Sequence, residues 1–372
     1  MKILVTGGAG FIGSHLIDDL LARGHQVRIL DALVAQVHGA NADWPQWLSP
    51  DVEKIRGDVA DPQVWITALQ GMDVVYHLAA EVGVGQSMYE IVRYMQANTM
   101  GTANLLELLA RGQHAIQKMI VASSMSIYGE GAYRNGHGES LYPQLRTADK
   151  LADRKWEMYA PPSSEPLKPI PTAEAKPLYP TSIYAISKRD QEEMCLAVGR
   201  AYKIPTVALR FFNVYGPRQA LSNPYTGVAA IFSGRLLNGN APLIFEDGLQ
   251  SRDFVHVKDI VQGLVLAMER AEANYEAINI GTGRQLTILD MANALIRELR
   301  VNVQPQIVSQ FREGDIRHCF ADISKAKRLL GYEPRITFEN GVGDLVEWVR
   351  QQHAQDRVET AAAELAARGL TR

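Results

Sequence analysis

Tyr184 and Lys188, in the run YAISK, stand four residues apart, a spacing that puts a phenol and an ammonium on one face of a helix. An adjacent cation favours phenolate and lowers a tyrosine's pKa, so the pair can act as a base near neutral pH. Ser124, in VASSMSIYG at 121–129, ends a predicted strand, where its hydroxyl can share a substrate proton with Tyr184. By itself a Tyr and Lys at this spacing is more often an exposed helix face than a catalytic pair, so its reading depends on a second motif.

That motif is TGGAGFIG at 6–13, directly after a predicted strand and opening a helix. Amides of Phe11, Ile12 and Gly13 at a helix N-terminus can meet a pyrophosphate, and Gly7, Gly10 and Gly13 permit the tight turn and close phosphate approach. A glycine triplet alone is only a tight turn. Asp31 ends the next strand 31 − 13 = 18 residues later, where an acid binds the adenosine ribose diol and repels the 2′-phosphate of NADP. NAD is therefore the expected cofactor.

The elements around these residues alternate short β-rich runs with helical ones: strands at 2–6, 26–30, 52–56, 73–78, 118–123 and 206–210, helices at 12–23, 61–69, 89–110 and 182–202. This predicts an α/β fold, a Rossmann-like doubly wound parallel sheet, with a smaller mixed C-terminal substrate-binding lobe. The expected organisation is an NAD-binding domain over 1–212, a lobe over 213–350 interleaved with the sheet, and a helical tail over 351–372. Residues 213–350 carry predicted helices at 227–237, 258–270 and 287–300 and strands near Leu243 and Val255. Residues 130–178, rich in Gly, Pro, Ser and charge, read as an irregular excursion with one short helix at 148–159. The alanine-rich stretch 356–370 predicts an exposed or loosely docked helix.

With 372 residues the chain buries a sizeable core. A net charge of −3 offers no basic field for nucleic acid. Neither a signal-peptide pattern nor an apolar run long enough to span a bilayer is present, so no membrane association is expected. Cys195 and Cys319 are too far apart to start a metal cluster, and no metal site is expected; a reducing, cytoplasmic setting follows.

Together these residues resemble the extended short-chain dehydrogenase/reductases, the NAD-dependent epimerase/dehydratases, over 1–350. Besides TGGAGFIG and YAISK, the family order holds for GDV at 57–59, HLAA at 77–80, NTMGT at 98–102, RFFNVYGPR at 210–218, RDFVH at 252–256 and REGD at 312–315. The resemblance implies that Asp58 and Val59 hold adenine, that Leu78, Ala79, Ala80 and Asn98 line the cofactor path, and that Tyr184 and Lys188 also contact the nicotinamide side. It implies Asn213, Arg252, Arg312 and Asp315 on the nucleotide diphosphate, with Val82, Met125, Ser126, Val228 and Phe245 completing the substrate site. His77 reads as a packed strand end and Cys195 as helix core.

Family members begin alike: the tyrosine takes a sugar hydroxyl proton while hydride passes to NAD. The 4,6-dehydratases follow their catalytic hydroxyl residue with an acidic pair, where this chain has Met125 and Ser126, neither able to carry a proton in that role. UDP-glucuronate enzymes place an arginine after the strand ending at His77, whereas residues 81–87 hold no basic residue and Glu81 would repel an anion. C4 epimerisation of an uncharged nucleotide-linked hexose or 6-deoxyhexose is therefore expected, through a transient 4-keto sugar. The segments QVHG at 36–39, VGVGQSMYEI at 82–91 and ALSNPYTGVAAIF at 220–232 are similar to dTDP-L-rhamnose 4-epimerase-like proteins, with UDP-glucose 4-epimerase-like proteins the near alternative. A sugar 4-reductase or dehydrogenase, a UDP-glucuronate-acting epimerase or decarboxylase, and a non-catalytic NAD sensor stay open. Relatives pair through the helices at 89–110 and 182–202, so a homodimer is expected.

Overall fold

In β1 (Lys2–Thr6) every residue from Ile3 onward is buried, because successive side chains point to opposite faces and both faces are covered. Ile3 and Val5 enter one apolar cluster and Leu4 the other. β2 (Gln26–Asp31) is buried at Val27 and from Ile29 onward, with Arg28 half-buried, and the same cover extends over β4 (Val74–His77), β5 (Lys118–Ser124), β6 (Thr206–Phe211) and β7 (Ala277–Ile280), with β3 (Glu53–Arg56) at the exposed edge. These seven strands pair in the order β3-β2-β1-β4-β5-β6-β7, all parallel. This computed structural model describes residues 1–39, 43–112, 114–160 and 165–371.

One face of the sheet is covered by α1 (Phe11–Ala22), through Leu16, Ile17 and Leu20, and by α6 (Val257–Glu269), through Ile260 and Leu264. The other carries α2 (Pro62–Leu69), α3 (Gly101–Ala110) and α4 (Ile183–Ala201), through Trp65, Leu105 and Leu196. Caps set their starts: Asp61 accepts from the Gln63 amide at 2.9 Å and Ser182 from that of Ala185 at 3.1 Å. A smaller cluster gathers α5 (Val228–Leu237), α7 (Ile288–Leu299) and α8 (Phe338–Arg350) around Phe232, Leu295 and Leu345. No helix among the described residues is long and apolar enough to cross a membrane.

The structure differs from the sequence expectations in the helix over 89–110 and in the excursion. The helix over 89–110 is broken into Ile91–Tyr94, a π-helical turn Met95–Met100, and α3. β7 comes from the stretch assigned to the second lobe and completes the main sheet.

The excursion is folded rather than irregular. Ala132–Arg134 pairs antiparallel with Ser140–Leu141 and Lys168–Ile170 over Tyr133, Met158 and Leu167, and its helix spans only Ala148–Ala152. Residues 161–164 of this stretch lie outside the described residues. Strands of two or three residues carry too little alternation to register in sequence. The excursion is tied to the following lobe by the fully buried Arg317, which donates to Glu157 of the excursion and to Glu246 and Asp247, the last two at 2.9 and 2.7 Å.

The tail helix α9 (Val358–Ala367) is docked, with Ala361 and Leu365 buried. The end of the tail extends this docking, since the Glu313 amide donates to the carbonyl of Leu370.

Candidate active site

The chain reverses its winding direction between β1 and β4, and an open sheet leaves a crevice at the carboxyl ends of strands there. A cavity of about 470 Å3 occupies this place. At one end Gly7, Gly10, Phe11, Ile12 and Gly13 form its wall with Asp31, Asp58 and Val59; Leu78, Ala79 and Ala80 follow along it. Gly7 has φ +68°, and a Cβ there would stand 2.9 Å from the amide nitrogen of Ala79, so only glycine fits. The Asp31 carboxylate accepts from the amides of Ala9 and Leu33, both at 2.9 Å, which fixes it facing the glycine turn.

At the other end the same cavity is lined by Ser124, Tyr184 and Lys188. The Ser124 hydroxyl donates to Ser126 Oγ at 3.2 Å and stands near enough to Tyr184 to influence its ionisation. α4 carries Tyr184 on its first turn, and the Tyr184 amide donates to Ser87 Oγ at 3.0 Å, so the short helix Val84–Ser87, far away in sequence, helps set the helix start. Lys188 donates to Gln191 Oε1 at 2.7 Å; Gln191 in turn donates to Thr102 Oγ1 at 2.8 Å, and Thr102 lies 3.0 Å from His77 Nε2. His77 Nδ1 is 2.9 Å from Thr6 Oγ1, which accepts from the amides of Leu78 and Ala79. A buried polar chain thus runs from the lysine to the backbone lining the dinucleotide end.

Val82, Met125, Ser126, Asn213 and Val228 also line the cavity. Asn213 Oδ1 is buried and without a hydrogen-bond partner, an acceptor left for a ligand. Asn98 does not reach the cavity wall: fully buried on the π-turn, it accepts from the Glu81 amide and donates to Glu81 O and Ser187 Oγ, tying the wall to α4. Phe245, Arg252, Arg312 and Asp315 sit apart from the cavity lining. Arg312 lies over the Phe245 ring at 4.7 Å and pairs with Asp315 at 2.8 Å, while Arg252 donates to the carbonyls of Ser251, Ile316 and Arg317.

The NAD dependent epimerase/dehydratase family model matches residues 3–149 and 156–281. The chain belongs to this family. This family member is 36% identical over 353 residues to a dTDP-L-rhamnose 4-epimerase of Burkholderia thailandensis, covering 94% of this chain and 95% of that protein. Its fold is similar to a UDP-glucose 4-epimerase of Thermotoga maritima solved with UDP-glucose (TM-score 0.76, 32% identity, covering 94% and 99% of the two chains). It is also similar to a UDP-glucuronic acid 4-epimerase of Bacillus cereus solved with a fluorinated substrate analogue and NAD (TM-score 0.77, 30% identity, covering 95% and 100%).

This epimerase/dehydratase-family enzyme uses NAD, and the glycine turn, the fixed Asp31 carboxylate and the cavity between them fit that group. Burial raises the Tyr184 pKa and the nearby Ser124 hydroxyl opposes it; Lys188, whose ammonium is turned to Gln191, does not lower it here, contrary to what the four-residue spacing predicts. Burial also brings Lys188 down to about 7 and His77 down to about 3, with the nearby Lys188 charge adding to the latter, so His77 is a neutral hydrogen-bonding post. Cys195 is fully buried and its thiol is pushed up to about 12 by burial, as expected of helix core. Among the described residues no group of three or more His, Cys, Asp and Glu is placed to hold a metal.

Sequence reasoning missed Ser87, Thr102 and Gln191. Gln191 was detectable, since it follows Lys188 by three residues on one helix face; Thr102 and Ser87 lie in NTMGT and VGVGQSMYEI, but nothing in those segments names their distant partners.

Proposed function

We propose that this NAD-dependent nucleotide-sugar 4-epimerase acts on an uncharged hexose or 6-deoxyhexose, dTDP-L-rhamnose-like or UDP-glucose-like. The observation that carries this reading is the meeting of Ser124, Tyr184 and Lys188 in one cavity with the glycine turn, with Met125 and Ser126 after the serine. Tyr184 takes the proton of the sugar's C4 hydroxyl, and Ser124 holds that hydroxyl in line. Lys188, anchored from behind by Gln191, would contact the nicotinamide ribose and, where it is charged, favour the phenolate. Bound NAD supplies an acceptor for the C4 hydride and returns it, so that no net redox change results. Between the two transfers the planar C4 ketone turns over in the cavity, where Val82, Met125 and Val228 offer few directional contacts. Tyr184 then gives its proton back to the new alkoxide. Asp58 and Val59 would hold adenine, and Phe245, Arg252, Arg312 and Asp315 the nucleotide of the sugar.

The argument from charge needs one revision. Glu81 lies on the cavity wall but is paired with Arg93 at 2.8 Å, and Arg93 also meets Glu90 at 2.7 Å. Glu81 therefore repels an anion less than its sequence position suggests. Discrimination against a glucuronate rests instead on the lack of any cation in 82–87, because Arg93 is already engaged.

Two further parts of the reading extend beyond the site. Exposed Val92, Met100 and Ile186 on the helices flanking the cavity support pairing of two copies. Free, buried Cys195 and Cys319 fit a reducing, cytoplasmic setting. The test is incubation of the purified protein with UDP- and dTDP-sugars, UDP-glucuronate included, without added cofactor, followed by NMR of the C4 epimers. Conversion of an uncharged sugar is expected, and Tyr184→Phe should lose ~100-fold or more of the turnover. Conversion of the glucuronate alone, steady NADH accumulation, or an active Phe variant overturns the reading.

A further inference from the structure

Three stretches distant in sequence meet over the cofactor cavity. The short helix Ala35–His38 follows β2, and Val34, Val37 and His38 stand on the cavity wall beside Asp31. Across from it Gly83 and Val84 belong to a second stretch, and Asn223 and Tyr225 to a third. Gln36 joins all three. Its Nε2 donates to Gln86 Oε1 at 2.9 Å and to Asn223 Oδ1 at 3.0 Å, while its Oε1 accepts from Gln86 Nε2 and Arg93 Nη1, both at 3.1 Å. Gln86 and Asn223 are buried, so these bonds are shielded from competing water.

The tail closes the same place from outside. Glu364 of α9 accepts from Tyr89 Oη at 2.8 Å and from Tyr225 Oη at 2.9 Å, and Arg368 stacks over the Tyr89 ring at 4.1 Å. A Cβ on Gly85 would stand 3.3 Å from Leu365 Cδ2, so the helix rests directly on the second stretch.

We infer that Gln36, Gln86 and Asn223 are positioning residues that clasp the cofactor cavity, latched from outside by α9, and keep NAD in place through and between turnovers. A dinucleotide lying along a wall that includes Val37, Val84 and Asn223 is held between these stretches, and parting them to loosen it breaks the Gln36 bonds. An enzyme that regenerates its NAD in each cycle has nothing to gain from exchange. Loss of the reduced cofactor mid-cycle would strand the keto sugar. The inference rests on NAD binding, with the sugar assignment entering only a second measurement.

The test is the rate at which NAD leaves the purified holoenzyme into a trapping dehydrogenase. Gln86→Leu and Asn223→Leu should speed release about tenfold or more, since a dissociation rate carries most of a lost contact. Glu364→Ala, at the protein surface, should speed it by about threefold, as fits one outer contact. The same variants should leak NADH during turnover of whichever sugar is accepted, while a wrong sugar assignment leaves the release rates untouched. Release within about twofold of the parent in Gln86→Leu and Asn223→Leu at parental melting temperature overturns the clasp. Should the two inner variants fail to fold, an unchanged rate in Glu364→Ala overturns it.

Discussion

Lys188 keeps its ammonium where only 3% of the residue meets solvent, and desolvation pulls its pKa from 10.5 to about 7. At ~1.4 kcal/mol per pH unit, holding that charge in the fold costs roughly 4 kcal/mol at pH 7. Lys188→Met keeps most of the volume and removes the charge, but leaves Gln191 Oε1 without its donor, which gives back ~1–3 kcal/mol. The NAD-free variant should therefore be more stable than the parent by ~1–3 kcal/mol at pH 7 while losing its turnover. The sign with pH follows from proton counts. Between pH 7 and 10.5 the unfolded chain holds a proton that the folded chain has released, so parental stability rises with pH and the advantage of the variant shrinks. Urea unfolding of both proteins without NAD, at pH 7 and again near pH 10, reads this directly. A variant less stable than the parent at pH 7, or a gap indifferent to pH, would refute the reasoning.

Two other outcomes follow from the same contacts. Asp31→Ala removes a charged acceptor for the ribose diol and should weaken NAD binding ~10- to 100-fold, shifting the NAD/NADP affinity ratio toward NADP; calorimetric titration with both cofactors checks it, and an unchanged ratio removes the assignment. Arg317→Leu takes the shared guanidinium from the half-buried Glu157 and Asp247, while Glu246 keeps its pairing with Arg146, and should cost ~1–3 kcal/mol. Its unfolding should begin in the excursion, detectable as faster hydrogen exchange over 130–178, and equal exchange in parent and variant would contradict it.

The residues that declare chemistry could be read from the chain because each depends on neighbours a few positions away. Tyr184 and Lys188 share a face by helical periodicity, Gly7 needs its positive φ for a local turn, and Asp31 ends a strand marked by apolar Val27, Ile29 and Leu30. The parallel sheet was legible for the same reason: covered strands such as Ile3 to Val5 are apolar throughout. What the chain could not display were partners chosen across distance. Gln191 reaching Thr102, Gln36 reaching Asn223, and Arg317 serving three acids of two separate segments have no periodic trace, because a polar side chain's partner is set by which segments meet. Asn98 illustrates the same limit. Its motif marked it for the cofactor path, yet its amide faces Glu81 and Ser187, because the π-turn rotates it into the wall. Local sterics and periodicity determined the elements and the reactive pair. Long-range packing alone decided what encloses them, since burial removes water as a partner and makes each polar group accept whatever the fold brings near.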